Sequence, residues 1–182
     1  MFQREIATDL ALAPLAGYIA TKVMEPVSVK LYELESEADR QHEDAVRPGP
    51  PYQVAAQKTA SLLGLELTHA QLAKLSLVFH YGLAISYAPV YSTLRRRTAL
   101  SPAAAGLVTG AAMSLIADQF VTPALGFSAP NRAYPLATHV RGFVAHLVFG
   151  LGLAGVFEAA WTLLGRRPLD RARFNDKADV NV

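Results

Sequence analysis

The chain has 182 residues, 52% of them hydrophobic, with 17 basic and 15 acidic side chains and a net charge of +2. That length suits one domain, and the absence of cysteine excludes a disulfide framework, a thiolate metal site and a cysteine nucleophile. The mean hydropathy of +0.22 averages a polar stretch near residues 30–68 with apolar runs long enough to span a bilayer, since about 20 helical residues cross a hydrocarbon core of about 30 Å.

The first predicted span is 8–27. Its uncharged core, 10–21, has only 12 residues, so full length requires Asp9 at one interface and Lys22 reaching out to the other. Pro14 would kink it, which a membrane helix tolerates. Residues 1–9 carry Arg4, Glu5 and Asp9, and no small-residue cleavage site follows an apolar core, so the span is expected to stay as an anchor. A polar insert, 28–70, comes next. Residues 29–45 have helix-forming composition and read as an outward extension of the first helix, which the run Arg47-Pro48-Gly49-Pro50-Pro51 ends. Residues 52–63 then read as a short amphipathic helix with Val54, Ala55, Leu62 and Leu63 on its apolar side, lying on the membrane surface or capping the bundle.

The second span, 72–94, contains an uncharged run of 20 residues and opens at Thr68 with Gln71, a capping box. Ser101-Pro102, an N-cap followed by proline at the first helical position, opens the third span, 102–125, which Pro123 and Gly126 close. The fourth, 140–165, precedes a charged tail, 166–182. The expected fold is therefore all-α: one polytopic membrane domain, a four-helix transmembrane bundle with a polar extracytoplasmic insert between helices 1 and 2.

Four spans put both termini on one side. Arg95, Arg96 and Arg97 fall there, as do Arg4, Arg166, Arg167, Arg171, Arg173 and Lys177. The positive-inside rule makes that side the cytoplasm and the protein N-in, C-in. The acidic residues Glu33, Glu35, Glu37, Asp39, Glu43 and Asp44 fall on the other side.

Counting inward from the span ends puts His80, Asp118 and His146 at nearly one depth on three helices, with Lys22 near the outer end of the first. Charges in a bilayer are costly and face the bundle and one another. An intramembrane polar cluster of His80, Asp118, His146 and Lys22 is expected, with Tyr81, Tyr87 and Ser114 around it. Three roles fit such a cluster: hydrogen bonding that fixes helix register, a titrating site near neutral pH, or axial ligation of haem by His80 and His146, near Arg132 or Arg141. Glu158 lies close in depth to Asp9 and to Arg95–Arg97, which suggests an interfacial ion pair, and Trp161 suits an aromatic belt.

Residues 150–155 match the pattern GxGxxG, yet no strand precedes them and no acidic residue follows at the right distance. Gly150, Gly152 and Gly155, with Gly106 and Gly110, read instead as close-packing positions. The arginine clusters flank spans and lack interleaved aromatics, so no nucleic-acid surface is expected.

The segment from Pro123 through Gly126 and Ser128 to Pro130, followed by residues 142–150 with His146, resembles the YagU-like family of small bacterial inner-membrane proteins. That family has a similar P-x-x-G-[LF]-[ST]-x-P turn after its third span and a G-H-L-V-type start to its last. The second span is similar in its histidine at His80 and its aromatics at Tyr87 and Tyr91. The first is similar over residues 16–21, with an acidic residue near Glu25. The resemblance implies the four-span topology, singles out His80 and His146, and implies a titratable residue, histidine included, at Asp118. It does not extend to the acidic insert and implies no activity.

The sequence has no nucleophile–base set, phosphate loop or thiolate site, and it assigns no catalytic residue, no metal ligand and no resident cofactor. The leading expectation is a non-enzymatic accessory or scaffold subunit embedded in the lipid bilayer. It would pack on other membrane subunits or on itself and offer the acidic insert to a basic partner. The alternatives are a small proton- or ion-coupled transporter or pH sensor built on the His/Asp cluster, and a b-type haem electron-transfer subunit.

Overall fold

The structure is a computed structural model that describes residues 2–165; the side chains of residues 2–4 and the tail basic residues from Arg166 to Lys177 lie outside what is described. The described residues form helices, turns and loops, without a strand among them. Six helices follow in order: α1 Phe2–Leu34, α2 Glu37–Val46, α3 Pro51–Leu62, α4 His69–Arg97, α5 Pro102–Ala124 and α6 Leu136–Leu163. Met113–Val121 within α5 is π-helical, and a 3-10 turn, Asn131–Ala133, precedes α6.

The helix starts follow local chemistry. Thr68 caps α4 by accepting from the Gln71 amide while the Gln71 side chain accepts from the Thr68 amide, which satisfies two otherwise unpaired donors. Ser101 caps α5 by accepting from the Ala104 amide, with Pro102 in the first turn. Ser36 does the same for α2 at the Asp39 amide. Gly126, at φ +67°, lets the chain turn sharply after α5.

Helix α6 packs against α1 and α5, α1 against α4, and α3 lies on α4. The buried face of α6 carries Ala145, Phe149, Gly150, Leu153, Ala154, Phe157 and Trp161, a helical stripe. Its neighbours meet it with small side chains: Ala13, Ala16 and Ala20 of α1, Ala84 and Ala88 of α4, Ala105 of α5. Large apolar residues point the other way, among them Leu15, Leu77, Val78, Leu107, Leu115, Ile116, Phe120, Val140 and Leu151. The alanines let these helices pack closely around the large buried residues of α6, and the exposed large apolar side chains form an outer surface that suits lipid. Helices α5 and α6 are long and apolar enough to cross a membrane. Helices α1 and α4 have the length, 33 and 29 residues, but Asp9, Lys22 and Glu25 in one and histidine, serines and tyrosines in the other lower their apolarity.

Glycine sets the closest approaches. A Cβ on Gly106 would lie 2.6 Å from the Gly150 carbonyl oxygen, one on Gly110 would collide with the His146 carbonyl, and one on Gly152 would lie 3.0 Å from Ala20 Cα. Gly155, expected among these, faces open space instead, because it lies off the stripe that α6 turns to its neighbours. Trp161 also departs from expectation: it is fully buried and donates to Asp9 Oδ1 at 2.8 Å, since the ring packs beside Tyr91 and Phe157 rather than at an outer belt. The insert differs in detail. Helix α1 extends outward past 27 but stops at Leu34, and a separate helix α2 capped by Ser36 takes the rest of the stretch expected to continue it. Helix α3 buries Val54, Ala55, Ala56 and Ala60 and leaves Leu62 and Leu63 exposed.

Gly106→Ala is expected to lower stability by about 1–3 kcal/mol through overpacking, and Gly155→Ala to change it by less than about 0.5 kcal/mol. Thermal unfolding in detergent, followed by circular dichroism, checks both.

Candidate functional site

A cavity of about 430 Å³ lies among α1, α4, α5 and α6, with α2, α3 and the α5–α6 connection also contributing to its wall. His80, Asp118 and His146 all line it, from α4, α5 and α6. The π-helical segment supplies Asp118 together with Met113, Ala117, Gln119 and Val121; such segments are frequent at functional sites. Asn131 Nδ2 donates to the Gln119 carbonyl at 2.7 Å, tying the connection to that wall.

His146 Nδ1 lies 2.7 Å from the Gly142 carbonyl and 3.2 Å from Asp118 Oδ2. A carbonyl only accepts, so Nδ1 carries the hydrogen and Nε2 is the nitrogen that gains or loses a proton. His139 Nε2 donates by the same logic to the Asn131 carbonyl at 3.0 Å, its ring edge-on to Tyr134. His80 belongs to a second group. Its Nε2 is 3.6 Å from Glu25 Oε1, and its ring contacts Tyr52 and Tyr81 at centroid distances of 4.7 and 5.0 Å.

Lys22 joins Glu25 at 2.8 Å and stands over the rings of Tyr18 and Tyr81. It is half-exposed and has no bond to Asp118 or His146, because it lies on the face of α1 that α4 leaves partly open. Of the surrounding residues, Tyr81 contacts His80, Tyr87 packs against the core, and Ser114 is buried with its hydroxyl unpartnered among the described residues. His80 and His146 each face a carboxylate, Glu25 and Asp118 respectively, and His80 would have to give up that contact through Nε2 to ligate haem by this nitrogen.

An arginine–glutamate group in the cavity wall was not legible in the sequence. Arg141 of α6 donates to Glu35 at 2.7 Å and to both oxygens of Glu43 at 2.8 and 2.6 Å, with Tyr32 under its guanidinium. Glu43 also accepts from Thr138 at 2.7 Å and from Arg47 at 3.1 Å. Burial pushes the Glu35 carboxyl above its ordinary value of 4.5 despite Arg141. Burial pushes Glu43 the same way, but the hydrogen bonds from Arg141 and Thr138 outweigh it and hold the group below 4.5. The only sequence signal was an acidic segment and a lone Arg141 at the start of the last span.

The far end of the bundle has its own polar group. Arg96 pairs with Asp9 at 2.6 and 2.9 Å and stacks on Trp161, while Arg95 pairs with Glu158 at 2.9 Å beside the Tyr91 hydroxyl. Two of the arginines read as topology signals thus also join α4 to α1 and α6.

No family model, curated protein or solved structure matches this chain.

Glu43 has the lower carboxyl pKa in the folded state, so its stabilisation is present above about pH 4.5 and is lost as pH falls through the folded value. Glu35 is opposite in sign: its charge is disfavoured on folding. At pH 7, Glu43→Gln is expected to cost about 3 kcal/mol or more, as for one broken partner of a buried pair, and Glu35→Gln less than half of that. Unfolding midpoints of the two variants at pH 7 and pH 4 check the order and its narrowing in acid.

Proposed function

We propose that the chain is a four-span protein of the bacterial inner membrane, N-in and C-in, related to the YagU-like proteins, whose outer cavity is a proton-responsive binding site. The carrying observation is the 3.2 Å contact between His146 and Asp118 in a cavity whose other walls are largely apolar. An imidazole is the one side chain whose ordinary proton equilibrium lies near neutral pH, and a carboxylate facing it favours the charged form of each partner. Two helices long and apolar enough to cross a membrane and a surface of large exposed apolar side chains support the membrane reading.

Sensing is favoured over permeation. At the end opposite the cavity the Arg95–Glu158 and Arg96–Asp9 pairs, with Trp161 bonded to Asp9, tie α4 to α6 and α1. The accessory-subunit reading is the second proposal and draws on fewer observations. Gly106, Gly110, Gly150 and Gly152 are occupied by neighbours within the chain. The acidic insert is engaged too: Glu33 with Lys30, Glu35 and Glu43 with Arg141, Glu37 with Gln41, Asp39 with Ser36 and Asp44 with Tyr32.

The chain lacks cysteine, so single cysteines report topology cleanly. Gln41→Cys should react with an impermeant maleimide in intact cells, and Ala99→Cys only after permeabilisation; the reverse pattern would overturn the orientation. For the site, nitrogen-15 histidine spectra in nanodiscs should show the titration midpoint of one histidine displaced by about one pH unit or more in Asp118→Asn. An unmoved midpoint would refute the His146–Asp118 site.

A further inference from the structure

Charge accounting around the cavity points to the chemistry of its occupant. Two permanent cations reach the wall, Arg47 and Arg141. Arg47 is bonded to Glu43, and Arg141 to Glu43 and Glu35. The nearby Lys22 is bonded to Glu25. Each of these is already paired with a carboxylate, so none brings a net positive charge to the cavity.

Asp118 differs. Its side chain is 33% exposed, Oδ2 faces His146, and Oδ1 has no hydrogen bond among the described residues. When the imidazoles are neutral, that carboxylate is the one wall charge without a permanent counter-ion. The surrounding wall includes the rings of Tyr52, Phe79, Phe127, Tyr134 and Phe149. Aromatic faces and a carboxylate in an apolar chamber attract an organic cation. A bare divalent ion would need several more oxygen ligands than one carboxylate supplies.

Building on the titratable-site reading, we infer that the cavity binds a small lipophilic ammonium ion at Asp118, in competition with the proton of His146. A volume of about 430 Å³ accommodates an ammonium head with one aromatic or short alkyl substituent. Protonated His146 neutralises Asp118 from within the protein. A bound ammonium does so from the cavity, and the two cations exclude each other. Acid therefore ejects the ligand, and the ligand holds the site deprotonated.

The test is equilibrium dialysis of benzyltrimethylammonium against the full-length protein in nanodiscs, with empty nanodiscs subtracted and benzoate and benzyl alcohol as anionic and neutral probes. Saturable binding of the cation should be at least tenfold tighter at pH 8 than at pH 5.5. It should weaken at least tenfold in Asp118→Asn and persist in Glu66→Gln, an exposed carboxylate away from the cavity. Tighter binding of benzoate or benzyl alcohol, or cation binding indifferent to pH, would overturn the inference, and the pH dependence of the unmodified protein decides even where Asp118→Asn does not fold. Failed cation binding with the histidine midpoint still displaced in Asp118→Asn overturns the ligand class alone. Failure of both overturns the titratable site as well.

Discussion

Backbone contact between α5 and α6 is the constraint on which the rest depends. Gly106 faces Gly150, and Gly110 faces the carbonyl of His146 itself. Without side chains between them the helices approach closely enough for dispersion and weak polar contacts to act over several turns. The contact also fixes register. Gly110 against His146 sets α5 so that Asp118, about two turns on, arrives at the His146 imidazole. Packing and site chemistry are one decision here, made by residues that carry no functional group.

Electrostatics divides the two ends of the bundle. At one end, Asp9, Arg96, Arg95 and Glu158 form compact pairs that join α1, α4 and α6 under an indole. At the other, Arg141 is shared between two glutamates and holds a separate helical segment against the bundle. Both arrangements bury charge at a desolvation cost that only near-complete pairing offsets. The cavity side differs in leaving Asp118 Oδ1 without a hydrogen bond and each imidazole paired through one ring nitrogen only, among the described residues. Polarity is spent on structure at the one end and partly reserved at the other.

Much of this was legible in the sequence, and the reasons are physical. Helix ends marked by charge give levels directly, because helical rise is constant; hence His80, Asp118 and His146 could be put at nearly one level by counting, although His80 pairs apart from the other two. The caps at Thr68 and Ser101 are local chemistry and read locally. Azimuth was harder. Lys22 and Gly155 have suitable depths but sit on other faces, and Trp161 turns inward to Asp9, which depth alone cannot reveal. Pairings between distant segments were not legible. Nothing in the composition of residues 33–44 announces that Glu43 meets an arginine 98 positions later, nor that His80 answers to Glu25 while His146 answers to Asp118.

The π-helical stretch of α5 has one more consequence. An ordinary α-helix turns about 100° per residue, and the nine residues of Met113–Val121 follow a looser winding that absorbs extra chain without lengthening the helix proportionately. Asp118 owes its bearing to that slack. Losing a single residue there would tighten the coil to regular winding and swing the carboxylate by roughly a quarter turn, with every atom of the glycine contact untouched. Chain length in this stretch is thus a separate heritable variable: single-residue insertions and deletions could move the acid in and out of the chamber more readily than substitutions could.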